Sequence, residues 1–140
     1  MMRQVVVRAM VGSLLLGGIW AGAAVLQHPP DPHRHPEGQN MESPVPTTDE
    51  SIARGRRLYA LYCRQCHGVE GKGDGDMAHA GGVPADFTDE LWQHGSSPGE
   101  VFLVVRDGVS ADMQPYGERL QEEDLWHLVN FVRSLSPAGR

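Results

Sequence analysis

The sequence predicts a small all-α domain with long loops. Residues 51–66 and 121–135 carry apolar side chains at helical spacing, and 101–106 follows a helix capping box. No pair of segments alternates in the manner of paired strands.

The chain has 140 residues, enough for one domain with accessory segments. Arg3 and Arg8 precede an uncharged run, 9–26, that includes Leu14, Leu15, Leu16, Ile19 and Trp20. Basic residues ahead of an apolar run predict an export signal or membrane anchor, with the domain delivered to the extracytoplasmic, periplasmic side. Ala21-Gly22-Ala23 fits a signal peptidase site, yet Val25 and Leu26 continue the apolar run beyond it. A retained transmembrane anchor over 1–26 is therefore the expectation. Residues 27–48 are rich in Pro, Glu and His and are expected to form a disordered linker. His28, His33 and His35, with Met41 nearby, are expected to be solvated there rather than to hold a metal. The folded domain is then 49–140.

Within that domain the first helix is expected over 51–66, where Ile52, Tyr59, Tyr62, Cys63 and Cys66 share a face and Arg54, Arg56, Arg57 and Arg64 face away. Residues 68–84 contain six glycines and no apolar period, so they read as a loop. Lys72 lies between two of those glycines, but no Ser or Thr follows it and no apolar strand precedes it, which argues against a phosphate loop. Asp86 is expected to cap a short helix through Leu91 and Trp92 that Gly95 ends. Ser97-Pro98-Gly99-Glu100 is a capping box with Pro at the first helical position, and Gly108 closes the helix it opens. The caps decide between helix and strand for the apolar run 101–105, because a strand has no use for a capping box. In the last helix Leu125, Leu128, Val129, Val132 and Leu135 form one face, Glu122, Glu123 and Asp124 favour the N-terminal dipole, and Ser136-Pro137 stops it.

Composition narrows the function. From Asp49 onward there are fifteen acids against nine bases, and nucleic acid, which calls for a basic patch, is an improbable partner. The cysteines number two, too few for a disulfide scaffold. With three Phe, three Tyr and three Trp in the whole chain, side chains alone supply little core, and a cofactor is expected to fill the centre.

Cys63-Arg64-Gln65-Cys66-His67 has the spacing of haem attachment. Residues three apart share a helix face, so both sulfurs reach one edge of a macrocycle and His67 follows as an iron ligand. The imidazole's other N–H then calls for a backbone carbonyl, for which the loop around Pro84 is the candidate. The competing reading is a zinc site made of Cys63, Cys66, His67 and either His79 or His94. Zinc requires that additional ligand; one covalent haem c does not.

The stretch 51–137 resembles the class I, single-haem c-type cytochrome family. Beyond the attachment motif, Gly55 and Tyr59 stand where that family places the small and aromatic residues of its first helix, and Leu128 and Phe131 match the pair on its last helix. The resemblance implies that the two helices cross, the glycine permitting close approach and the rings interlocking. It also implies a Met ligand in the C-terminal half, in a Met-Pro-x-aromatic-Gly setting. Met113-Gln114-Pro115-Tyr116-Gly117 matches the aromatic residue and the glycine, with Gln114 where the first proline is expected. Met113 is the expected second iron ligand. Met77, His79 and His94 are the competitors, and Met77 lacks the Pro-Tyr context.

A His67/Met113 pair fills both axial positions of the iron and raises its potential, which leaves outer-sphere electron transfer as the chemistry. The chain is thus expected to carry single electrons between a redox protein donor and an acceptor, tethered to the membrane or released. The alternative is a haem-bearing relay subunit of a membrane dehydrogenase or terminal reductase complex. No Ser-His-Asp set or carboxylate pair argues for catalysis, and no small-molecule substrate is expected.

Overall fold

The computed structural model describes residues 34–79 and 82–137, and contains α1 (Pro36–Gln39), α2 (Asp49–Tyr62), α3 (Arg64–His67), α4 (Pro98–Asp107) and α5 (Glu122–Ser134). No strand occurs among the described residues. The expected export or anchor segment lies outside them, and among them no helix is long and apolar enough to cross a membrane.

Two residues before its expected start, α2 begins at Asp49, capped by Thr48, whose hydroxyl accepts from the Ser51 amide at 3.1 Å, with Asp49 and Glu50 in the favourable first turn. It also ends early. Cys63, at φ −118°, closes α2 and opens the short α3, so the expected helix over 51–66 is two segments with a break at the first cysteine. Opposite α2, α5 buries Leu125, Leu128, Val129 and Val132, the face read from its period. The two helices cross at Gly55, where a Cβ would overlap the His127 carbonyl oxygen and lie 2.7 Å from the Phe131 Cβ. One turn on, the rings of Tyr59 and Phe131 meet with centroids 5.1 Å apart. An ion pair from Arg54 to Asp124 at 2.7 Å flanks the crossing.

Both bonds of the capping box are present in α4: the Glu100 amide donates to Ser97 Oγ at 3.2 Å, and the Ser97 amide donates to Glu100 Oε2 at 3.1 Å. The apolar run after it is helical, as the caps dictate, and its buried Val101, Phe102 and Val105 join the core formed by α5. Phe102 stacks on Trp126 at 4.2 Å.

The disordered-linker expectation is corrected over 34–48. His35 and Gly38 are buried, and α1 packs on α4. Ser97 Oγ donates to the Gly38 carbonyl at 3.2 Å, Asn130 Nδ2 donates to the Val45 carbonyl at 3.2 Å, and Thr47 Oγ1 donates to Asn130 Oδ1 at 3.1 Å. Met41 and Val45 add apolar contact with the core. Partners offered by the domain thus satisfy a segment that has few of its own.

The short helix expected through Leu91 and Trp92 is likewise replaced, by turns. Asp86 Oδ1 accepts from the Thr88 amide at 2.7 Å and from the Thr88 hydroxyl at 2.6 Å, and Asp89 Oδ1 accepts from the Leu91 amide at 2.8 Å. Such local side-chain bonds compete with helix, and Leu91 is left 81% exposed.

Candidate haem site

The break at Cys63 positions the site. It lets α3 turn so that Cys63, Cys66 and His67 face one cavity together with Tyr59 from α2, Val101 and Val105 from α4, and Leu128 and Val132 from α5. Met113 enters from the loop after α4. All four residues expected to hold the cofactor therefore line a single space of about 590 Å³, within the range of roughly 300–1,000 Å³ usual for cofactor and ligand sites.

His67 is fixed from behind. Its Nδ1–H donates to the Ala85 carbonyl at 3.2 Å, one residue beyond Pro84, which leaves Nε2 as the nitrogen available to a metal. Phe87 stacks on the ring with centroids 4.5 Å apart. Burial pushes the imidazole pKa down, more than the bond to Ala85 raises it, and so favours the neutral form that ligates metal. Desolvation, reinforced by Cys66, pushes the Cys63 thiol up to about 12. The thiol is thus held neutral, suited to a thioether rather than to service as an exposed reactive thiolate.

Met113, which lines the same cavity, is half-buried against the core. Its carbonyl accepts from the Val109 amide at 2.9 Å. Gly108, at φ +73°, lets the chain reverse there, and a Cβ at that position would stand 2.6 Å from the Met113 carbonyl oxygen. The turn therefore lays the Met113 backbone directly over the end of α4, an arrangement the left-handed glycine makes possible. Tyr116 and Gly117 continue the return, their amides donating to the Val105 and Arg106 carbonyls at 3.1 and 2.9 Å.

Of the competing ligands, two border the cavity and one does not. Met77 and His94 also border the cavity, Met77 half-exposed, whereas His79 is exposed and does not line it. Among the described residues no three His, Cys, Asp or Glu side chains converge as metal ligands, which is the arrangement the zinc reading requires. A haem fits the donor set better: two sulfurs three residues apart, an imidazole kept neutral by burial and oriented through its far nitrogen, and a largely apolar wall.

Three contributions to the site were not readable in the sequence. Phe87 is brought to His67 by the Asp86 turn, which locally resembles a helix cap. Tyr116 Oη donates to the Tyr62 carbonyl at 2.9 Å, and the Gly82 amide donates to Asp112 Oδ2 at 2.9 Å, both joining segments far apart in the chain. Aromatic character at 116 was the one available signal.

Comparison with known proteins agrees with this geometry. The family of cytochrome c oxidase, cbb3-type, subunit III matches residues 50–132. A curated relative, the cbb3-type cytochrome c oxidase subunit CcoP of Rubrivivax gelatinosus, is 31% identical over 90 residues, which make up 64% of this chain and 27% of the relative. The chain thus spans about a quarter of the length of such curated relatives. Among solved structures, the Kuenenia stuttgartiensis reducing HAO-like protein complex Kustc0457/Kustc0458 aligns with a TM-score of 0.62 and 33% identity, covering 66% of this chain and 47% of that one. The KustC0563 c-type cytochrome aligns with a TM-score of 0.51 and 30% identity, over 59% of this chain and 96% of that one. The family match runs from α2 into α5 and takes in Cys63, Cys66, His67 and Met113, so the chain belongs to the cbb3-type cytochrome c oxidase subunit III family as a c-type cytochrome domain of haem-based electron transfer.

Proposed function

We propose that this chain is a one-electron carrier holding a single covalent haem c through Cys63 and Cys66, with His67 and Met113 as its axial ligands. The observation that carries the reading is that these four side chains line one cavity. Two cysteines in one attachment motif allow one such haem. When bound, the group supplies an Fe(II)/Fe(III) couple. The chain's own residues do the remainder. Ala85 keeps His67 oriented through Nδ1, Phe87 restrains the ring, and apolar side chains of α4 and α5 line the site. With His67 and Met113 both holding the iron, no position would be left for oxygen or peroxide, and outer-sphere electron transfer is the chemistry that remains. Donor and acceptor are redox proteins on the extracytoplasmic side, with 1–26 as the membrane tether.

Met113→Ala tests the ligand assignment. In the full holoprotein it is expected to lower the potential, remove the weak thioether-to-iron absorption band of the oxidised form, and open the iron to carbon monoxide. The same losses on Met77→Ala, with Met113→Ala unchanged, sink the assignment.

A second reading is a relay subunit of a larger redox complex. It is supported by the match to oxidase subunits and by the likeness to a component of a multi-protein complex. Purification from native membranes in mild detergent separates the two, since a subunit arrives with stoichiometric partners and a carrier arrives alone.

A further inference from the structure

Gln114 follows Met113 directly, so the backbone leaving the candidate ligand has no proline ring to fix its φ. A thioether is a soft, neutral ligand on a flexible side chain, and its residence on iron depends on how firmly its backbone is held. The turn over Gly108 and the returns to Val105 and Arg106 tie this loop to α4, on its own side of the cavity. Those bonds do not fix its distance from the other wall, where Cys63, Cys66 and His67 stand.

Two hydrogen bonds cross to that wall, one on each side of Met113. The residue before it, Asp112, accepts from the Gly82 amide through Oδ2 at 2.9 Å. Gly82 begins the segment that runs to Ala85, the carbonyl partner of His67. Three residues after Met113, Tyr116 donates through Oη to the Tyr62 carbonyl at 2.9 Å, and Tyr62 immediately precedes Cys63. The Tyr116 ring stands edge-on to that of Tyr62, with centroids 5.9 Å apart, and Arg119 lies over the Tyr116 ring at 5.8 Å. One bond thus joins the methionine loop to the segment that orients the histidine, and the other joins it to the segment that carries the cysteines.

We propose that Asp112 and Tyr116 are positioning residues that clasp the Met113 loop to the His67 and Cys63 segments and thereby supply the stiffness that Gln114 does not. The inference rests on Met113 being an axial ligand. Neither residue needs to touch the cofactor: each sets how easily the loop swings away, and so how easily an outside ligand displaces the thioether.

The test uses oxidised, full-length holoprotein, following cyanide binding by absorbance and thermal unfolding in parallel. Tyr116→Phe keeps the ring on Tyr62 and removes the hydroxyl alone. Asp112→Ala removes the acceptor, whereas Asp112→Asn keeps an oxygen for the Gly82 amide. Loss of either hydrogen bond is expected to speed exchange by about threefold to tenfold, with Asp112→Asn close to wild type. Adding Gln114→Pro to the Asp112→Ala/Tyr116→Phe double variant is expected to slow exchange again. Asn130→Ala, which removes the bonds from α5 to Val45 and Ser51 and touches neither clasp, serves as the control for general destabilisation and should leave the exchange rate unchanged. An unaltered exchange rate in the double variant, with the thioether-to-iron band present, overturns this proposal alone. Equal acceleration by Asn130→Ala overturns it too. Wild-type protein without that band overturns the ligand assignment, and the proposal with it.

Discussion

Gly55 and Phe131 meet where α2 crosses α5, so closely that a Cβ on Gly55 would stand 2.7 Å from the Cβ of Phe131 and overlap the His127 carbonyl. On an exposed helix, Gly→Ala stabilises by about 0.5–1 kcal/mol. Here the methyl group has nowhere to go, and α5 must move. Gly55→Ala is expected to destabilise the holoprotein by about 1–3 kcal/mol, as overpacking does. Guanidinium unfolding measures it, and a gain in stability would show that the helices separate freely.

Much of this architecture was legible because its signals are local. Ser97, Pro98, Glu100 and Gly108 bracket α4 within twelve residues, and the caps alone decide helix over strand. The period of α5 is equally plain, Gly55, Tyr59 and Phe131 sit at the crossing expected from the family resemblance, and Leu128 is fully buried. What escaped was tertiary. Asp86 has the same local chemistry as an N-cap and as a turn former, and packing of Phe87 on His67 accompanies the turn. Asn130 interrupts an apolar helix face for the sake of the Val45 carbonyl and Thr47 hydroxyl, partners more than eighty residues away, and so the ordered course of 34–48 was hidden.

Covalent attachment is checked directly. Wild-type protein is expected to retain peroxidase-type haem staining on a denaturing gel, because thioether bonds survive unfolding. Cys63→Ala with Cys66→Ala is expected to abolish that staining. A wild-type band containing zinc and no haem would contradict the site.

Tyr59 gives the domain an alkaline limit. Its hydroxyl donates to the Gly68 carbonyl at 2.7 Å, and burial, ahead of the nearby Cys63 and Asp74, raises its pKa above the ordinary phenol value of 10.0. The unfolded chain therefore ionises first as pH rises. The contribution is complete below about pH 10 and is lost progressively above it. Tyr59→Phe is expected to cost about 0.5–1.5 kcal/mol at neutral pH through the lost hydrogen bond, yet to flatten the decline at high pH. Unfolding free energies at pH 8 and pH 11 measure both. An equal alkaline decline in the two proteins would assign it to another group.

Charge predicts the kind of partner. From Asp49 onward the chain has fifteen acids, nine bases and a single lysine, and that lysine, Lys72, is paired with Glu70. Arg54 and Arg106 are likewise committed, to Asp124 and Asp107. Asp86 and Asp112 border the cavity, and no Lys or Arg does so among the described residues. Docking driven by a ring of lysines is thus implausible for this surface, and a partner steered to it presents basic residues. Complementary charge speeds encounter at low salt, and the gain fades as the Debye length shortens to about 10 Å at 0.1 M. Exposed Val83 and Met77 at the cavity add apolar contact that salt does not weaken. The tether proposed for 1–26 would raise local concentration and lessen the need for steering. Reduced protein is therefore expected to donate faster to a basic acceptor than to an acidic one of equal potential, with the preference shrinking as salt is added. Stopped-flow mixing across a salt series measures this. Rates that stay flat with salt would assign docking to the apolar contact alone, and faster transfer to the acidic acceptor at low salt would show that a few local arginines, not the acids bordering the cavity, govern the encounter.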